Sequence, residues 1–346
     1  MSVWLTCEGA PRDLGFDQGE AWRAEIRGVL RRSFGVSGWR AFLARALDFQ
    51  SRVPRVSVWR RVRRDTLRHY PQLSERTQAL ARAARISERA LWWVLTQELA
   101  PLETDGMRCG GGVAFAVTAE RTQSGGPLLA KNFDAPRAVA MPLGLRHSRP
   151  ENAYASLDVV LPVLAGALAG VNERGLAATV TSIPGNGRTA ESCTAPAILL
   201  VQDVLQRFDC VDGALEWCRA RPNAGRASLL FADAQGNVAA AHLSRGRCRV
   251  ERPRSGAVFG MCRAQTAADL EKALRGSEER LDLGRCRAIQ RSHRFDGRTD
   301  EDSICRHGEQ RACIGSALID PRLRRVEVVS GAPCNTAAAE SQVAVF

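Results

Sequence analysis

The stretch Arg108-Cys109-Gly110-Gly111-Gly112-Val113-Ala114-Phe115-Ala116-Val117, followed after a polar interval by Gly126-Pro127-Leu128-Leu129-Ala130-Lys131-Asn132-Phe133-Asp134, decides the reading of this chain. Two short apolar runs with Gly-rich punctuation between them predict two paired strands. A thiol precedes the first strand. The second ends with a cationic and an acidic side chain three residues apart. Cys109 read alone is an ordinary thiol; at the entrance to a buried strand it is a candidate nucleophile.

Upstream, residues 13 to 100 predict helices. Asp13 is the expected cap of a helix reaching Leu30. Further helical patterns cover Trp39–Gln50, Val56–Tyr70, Ser74–Ala84 and Ser87–Leu99, punctuated by Pro54, Pro71 and Pro101. Downstream the period changes to that of strands, expected at Val113–Val117, Pro127–Lys131, Ala153–Leu161, Ala165–Asn172 and Leu176–Ser182. Helices follow at Pro196–Arg207 and Val211–Arg219. Strands return at Ala227–Ala232, Val238–Leu243, Cys248–Arg252 and Ala257–Met261. A helical stretch lies near Ala267–Arg294, and the last strands are Ile314–Asp320 and Arg324–Ser330. Asp233-Ala234-Gln235-Gly236-Asn237 reads as a hairpin turn. Strands, helices and strands again predict two packed sheets flanked by helices, an α+β chain rather than a βαβ array.

The 346 residues suffice for one large domain or two ordinary ones, and 45% hydrophobic residues suffice for a sizeable core. The net charge of +12 invites a nucleic-acid reading. However, 47 of the 49 basic residues are arginines, and Lys131 and Lys272 are the only lysines. That bias suggests codon usage and a solvated surface. Nucleic-acid binding through the arginines at 52–68 is therefore the weakest of three functional hypotheses. Eleven cysteines show no CxxC pair and histidine is scarce, so no metal and no cofactor is expected from spacing. The opening Met1-Ser2-Val3-Trp4 carries no signal-peptide pattern, and the uncharged run Val159–Val171 is shorter than a membrane span. A cytoplasmic protein with reduced thiols is expected, with Cys193, Cys210, Cys218, Cys262, Cys286 and Cys313 as buried small hydrophobes.

Several segments, in order, resemble the acyl-coenzyme A:6-aminopenicillanic acid acyltransferase-like family of N-terminal-nucleophile hydrolases. They are Gly9-Ala10-Pro11 through Gly15 and Gly19, Phe115-Ala116-Val117 through Asp134, Gly170-Val171-Asn172 through Ala177, Ala232 to Gly236, Ile304-Cys305-Arg306-His307, and Gly331-Ala332-Pro333-Cys334. The resemblance implies a four-layer αββα sandwich with a helical N-terminal segment. It divides the chain into residues 1–108, pro-segment-like, and a core of 109–346. It implies an amide hydrolase or acyltransferase that cuts itself before a cysteine, whose new α-amine activates its own thiol. The substrate would be a small acylated amine, a peptide or an acyl thioester.

This chain departs from the pattern at the decisive place. Counting back from Asp134 puts the family's nucleophile on Gly112, which has no side chain; Cys109 is the nearest thiol. Thr181 stands where an oxyanion asparagine is expected, Gln202 where an arginine is, and His242 where a glutamate is. Lys131, Asn132 and Asp134 remain. Two expectations follow. Either Cys109 is the nucleophile, looped back by Gly110–Gly112, with Lys131, Asn132, Asp134 and Thr181 around it; or the site is chemically inactive and the fold binds a ligand or partner. Simpler readings stand beside these: Asp134 as a turn cap, Lys131 as a solvated strand end, His242 as a surface or satisfied core histidine rather than a new base, and His307 as structural.

Overall fold

The structure, a computed structural model, describes residues 4–34, 54–99, 110–137, 142–183, 193–223, 225–244, 246–253, 256–260, 270, 274, 280–293, 303–309, 311–335 and 341–346. The helix expected at Trp39–Gln50, Cys109 and Cys262 lie outside them.

The N-terminal segment starts with strand β1 (Trp4–Gly9), then α1 (Pro11–Ala21), α2 (Arg23–Phe34), α3 (Pro54–His69), α4 (Pro71–Ala83) and α5 (Glu88–Gln97). Proline opens α1 and α4 at the first turn, where its missing N–H costs nothing. Asp13 is not the cap residue that was expected. The helix begins earlier, with Ala10 at its N-cap, and Asp13 sits one turn in, accepting the Ala10 N–H at 3.1 Å.

The remaining strands are β2 (Ala114–Val117), β3 (Leu128–Pro136), β4 (Gly144–Pro150), β5 (Ser156–Val160), β6 (Ala169–Asn172), β7 (Leu176–Ile183), β8 (Arg226–Asp233), β9 (Val238–Ser244), β10 (Arg247–Glu251), β11 (Ala257–Gly260), β12 (Arg311–Asp320), β13 (Arg325–Ser330) and β14 (Ser341–Val345). Helices α6 (Leu199–Arg207), α7 (Val211–Ala220) and α8 (Leu283–Gln290) follow in the core, and a single 3-10 turn, Ala119–Arg121, lies between β2 and β3. Asp233 Oδ1 accepts from the N–H groups of Gln235 and Asn237, closing the β8–β9 turn as expected. Strands β1, β4 and β14 were not foreseen.

One sheet has the order β1-β4-β5-β6-β7-β8-β9-β10 and the other β11-β2-β3-β12-β13-β14. Their inner faces meet, with β2, β3 and β11 lying over β7, β8 and β9. Helices α6 and α7 cover the outer face of the first sheet, and α8 packs on β3 and β12 from outside the second. This is the four-layer αββα sandwich. Alternation divides β3 between two cores. Leu129 and Phe133 join the large inter-sheet core, whereas Leu128 and Ala130 join a smaller one with Ile289 and Cys286 of α8.

The N-terminal segment is welded to this sandwich. Strand β1 pairs in parallel with β4. Side chains at Gly15 and Gly19 of α1 would collide with the carbonyls of Arg76 and Leu80, so glycine lets the α1 and α4 backbones touch. Gln18 of α1 donates to the carbonyls of Pro162 and Leu164 and accepts from Arg146. Arg146 is fully buried and also bonds Asp158 (2.9 Å), Ser148 and Gln202. Gln202 thus takes part in an arginine-centred network without being an arginine.

Removing one partner leaves the other charge buried and unpaired. Asp158→Ala is expected to cost about 3–5 kcal/mol in denaturant unfolding, whereas Glu8→Ala, which breaks the exposed Glu8–Arg149 pair, costs under about 1 kcal/mol.

Candidate functional site

The glycine arm ahead of β2 is ordered by hydrogen bonds along its length. Gly110 N–H donates to Glu98 Oε1 (3.2 Å), and the Gly110 carbonyl accepts from Ser182 N–H (2.8 Å). The Gly111 carbonyl accepts from Asp134 N–H (3.3 Å), and the Val113 carbonyl from Asn132 N–H (2.8 Å). The arm therefore passes from the end of β7 in one sheet to β3 in the other. Gly112 has φ +109°, and a Cβ there would overlap the Asn132 carbonyl oxygen. A glycine at the expected nucleophile position is thus what this backbone requires, not merely a side chain lost. These contacts hold three glycines that would otherwise be free to adopt many conformations.

Strand β3 runs between β2 and β12, so Lys131, Asn132 and Asp134 are all buried. Alternation sends them two ways. Lys131 points between the sheets, where its Nζ donates to Thr181 Oγ1 at 2.9 Å; Thr181 in turn donates to the Gly260 carbonyl at 3.3 Å. Asn132 points outward, and its amide donates to the carbonyls of Gln290 (2.8 Å) and Ile304 (2.9 Å). The structure thus brings Lys131 to Thr181, and Asn132 to a helix and a loop.

Asp134 also lies among outer-layer residues. Burial raises its carboxyl above the usual value, opposed by the charges of Arg306, Lys131 and Arg311. Among the described residues, Asp134 Oδ1 and Asn132 Oδ1 have no hydrogen-bond partner. Two orphan acceptors on one buried strand, beside the glycine arm, form a place where an N–H donor would be stabilised.

The inner face of the first sheet carries a further polar row. Thr181 pairs with Ser228 across β7–β8, and Ser228 with His242 across β8–β9. Ser228 Oγ is 2.9 Å from His242 Nδ1, and His242 Nε2 is 3.3 Å from Glu251 Oε2. Burial lowers the His242 pKa and Glu251 opposes it, and the neutral imidazole protonated at Nε2 can accept a hydrogen bond from the serine hydroxyl at Nδ1. Ser228 and Glu251 were not among the expected site residues. The Asp233–Asn237 turn fixes the hairpin register, and counting back from it places Ser228 opposite His242. A cleft of ≈ 900 Å³ lined by Gly9, Arg76, Tyr154, Phe208 and Trp217 shares no residue with either polar group.

Among the described residues, the histidines and cysteines that could hold a metal are His293, Cys305, His307 and Cys334. Cys193, Cys218, Cys286 and Cys313 are buried as expected, while Cys210 is partly exposed. Arg60, Arg61, Arg63 and Arg64 are exposed on α3, and Arg63 pairs with Glu88 at 3.0 Å.

Gly112→Ala is expected to lose about 2–5 kcal/mol of stability, from left-handed backbone plus overlap with the Asn132 carbonyl. Gly246→Ala is the control, with φ +71° and no atom within 4 Å of the added carbon, and costs only about 1–2 kcal/mol. Asp134 supplies a pH signature. Its folded pKa lies above the unfolded value of 3.8, so both states are protonated at low pH and the wild type loses stability as pH rises through that interval. Asp134→Asn should match the wild type in acid and exceed it toward neutral pH in unfolding titrations.

Residues 121–259 match the family model described as acyl-coenzyme A:6-aminopenicillanic acid acyl-transferase. No curated protein sequence matches the chain. Among solved structures, penicillin V acylase from Agrobacterium tumefaciens is similar at 16% identity and a TM-score of 0.44, over 63% of this chain and 82% of that one. The Caenorhabditis elegans ortholog of N-acylethanolamine-hydrolyzing acid amidase gives 9% identity and 0.46, over 68% and 99%. A mutant conjugated bile acid hydrolase from Clostridium perfringens gives 11% and 0.41, over 67% and 92%. Residues 121–259 are thus similar to the acyl-coenzyme A:6-aminopenicillanic acid acyl-transferase family, the one that the motifs of the chain resemble.

Proposed function

We propose that this protein is an amide hydrolase or acyltransferase of the N-terminal-nucleophile kind, acting on a small acylated amine, peptide or acyl thioester through the thiol of Cys109. Residues 1–108 are then the segment ahead of the cut, and 109–346 the catalytic core. The observation that carries this reading is the pinned arm Gly110–Gly112 running past the orphan acceptor Asp134 Oδ1. An active site of this type needs a buried acceptor for the ammonium that forms when the α-amine takes up a proton.

Scission of the Arg108–Cys109 bond frees an α-amine with pKa near ~8, a base competent at neutral pH. The amine takes the thiol proton. The thiolate adds to the substrate carbonyl, and the amine or thiol leaving group departs with a proton. Water or an acceptor amine then releases the acyl group from sulfur. The chemistry needs no cofactor. A cytoplasmic setting with reduced thiols is part of this proposal; none of the described helices is long and apolar enough to cross a membrane.

A second reading is favoured by Asn132, whose two amide hydrogens are both committed to main-chain carbonyls and so unavailable to an oxyanion. In it the fold binds an acylated ligand or a partner without turnover.

Intact-mass analysis with N-terminal sequencing should find two fragments, the second beginning at Cys109. Cys109→Ala should stay uncut and lose hydrolysis of a panel of fluorogenic acyl amides by at least ~10³-fold. A single 37.7 kDa chain whose hydrolysis survives Cys109→Ala overturns the proposal; an uncut chain with no hydrolysis selects the second reading.

A further inference from the structure

Four side chains with metal-ligating atoms converge at one end of the six-stranded sheet. His293 follows α8, Cys305 and His307 flank Arg306 on the way into β12, and Cys334 follows β13. Their ligating atoms all lie within 4.8 Å of one another. His307 Nε2 is 3.1 Å from Cys334 Sγ and 3.6 Å from Cys305 Sγ. The rings of His293 and His307 meet edge to face, with centroids 4.9 Å apart.

The 3.6 Å between His307 Nε2 and Cys305 Sγ is the separation of two ligands on one ion, and the other separations, from 3.1 Å up to 4.8 Å, lie on either side of it. Zinc–sulfur bonds of ~2.3 Å and zinc–nitrogen bonds of ~2.0–2.1 Å place nitrogen and sulfur about 3.6 Å apart along the edge of a tetrahedron. Two thiolates neutralise a divalent charge, and the absence of any oxygen ligand from the set argues against magnesium or calcium. Four protein ligands fill a tetrahedron and leave no open position, the mark of a structural rather than a catalytic site.

The scaffold for such an ion is present in the main chain. Cys305 N–H donates to the Ser292 carbonyl (3.0 Å), joining the segment of His293 to that of Cys305. Cys313 N–H donates to the Arg306 carbonyl (2.8 Å), and Ser303 Oγ donates to the Cys305 carbonyl (2.7 Å). The loop so held is also the one that touches the buried polar residues of β3. Its Ile304 carbonyl accepts from Asn132, and Arg306 acts on the Asp134 carboxyl.

We propose that His293, Cys305, His307 and Cys334 bind one structural zinc ion that clamps the loop between α8 and β12 to the end of β13. The site is independent of chemistry at Cys109, and it is tested without any activity measurement.

Full-length protein, purified under reducing conditions and desalted after incubation with zinc, should carry about one zinc per chain by elemental mass spectrometry. Replacement by cobalt(II) should give the intense visible bands of tetrahedral cobalt together with thiolate-to-cobalt charge transfer. Cys305→Ser combined with Cys334→Ser should drop the zinc below about a tenth of an equivalent, and Cys248→Ser should leave it unchanged. If the double variant fails to fold, the cobalt spectrum of the wild type decides. Four results overturn the proposal: wild-type protein without stoichiometric zinc, a cobalt spectrum lacking thiolate charge transfer, a Cys305–Cys334 disulfide in the reduced-purified protein, or zinc retained by the folded double variant.

Discussion

A strand hydrogen-bonded on both edges and covered on both faces has no solvent to fall back on, and β3 carries three polar side chains in that condition. Each must find its partner inside the protein or stay unsatisfied at a cost of roughly 1–3 kcal/mol. Lys131 finds Thr181 across the gap between the sheets. Asn132 finds two carbonyls of the outer layer. Asp134 finds only part of what it needs. The position of the outer loop, the path of the glycine arm and the chemistry open to this region all follow from how these three groups are accommodated.

The same strand explains what could be read from the residues. Apolar runs at Val113–Val117 and Leu128–Ala130, and the turn at Asp233–Asn237, signalled strands because burial and turn chemistry leave a local pattern. Strand β4, Gly144-Leu-Arg-His-Ser-Arg-Pro, escaped notice because Arg146 and Ser148 look exposed on paper and are in fact buried in an ion-pair network. Strand β1 escaped because it is a parallel edge strand whose partner, β4, lies far along the chain. Lys131 and Asp134 suggested one constellation by proximity in sequence, although a period of two places residues three apart on opposite faces. The segments Cys305-Arg306-His307 and Gly331–Cys334 stood out as motifs, but nothing local joined them to each other or to His293, since three separate segments supply the four residues and only the closed fold brings them together.

Arginine is used here in two physical regimes. On α3 it faces solvent, with Arg60 also over the ring of Trp59, so most of its charge is screened. Inside, Arg146 and Arg76 are fully buried, and burial pulls Arg76 down to about 9. Arg146 is held by carboxylate, amide and hydroxyl oxygens at once. The overall excess of positive charge therefore says little about partners.

The weld between α1 and the sandwich bears on what a nick in the chain would leave behind. With β1 hydrogen-bonded into the eight-stranded sheet, Gln18 bonded to the 162–164 turn, and Gly15 and Gly19 seated on the α4 backbone, the N-terminal segment is part of the sheet's edge and its cover. Such a piece does not diffuse away like a shed leader. A chain severed ahead of Cys109 would persist as two polypeptides in one folded body, separable by denaturant and not by dilution.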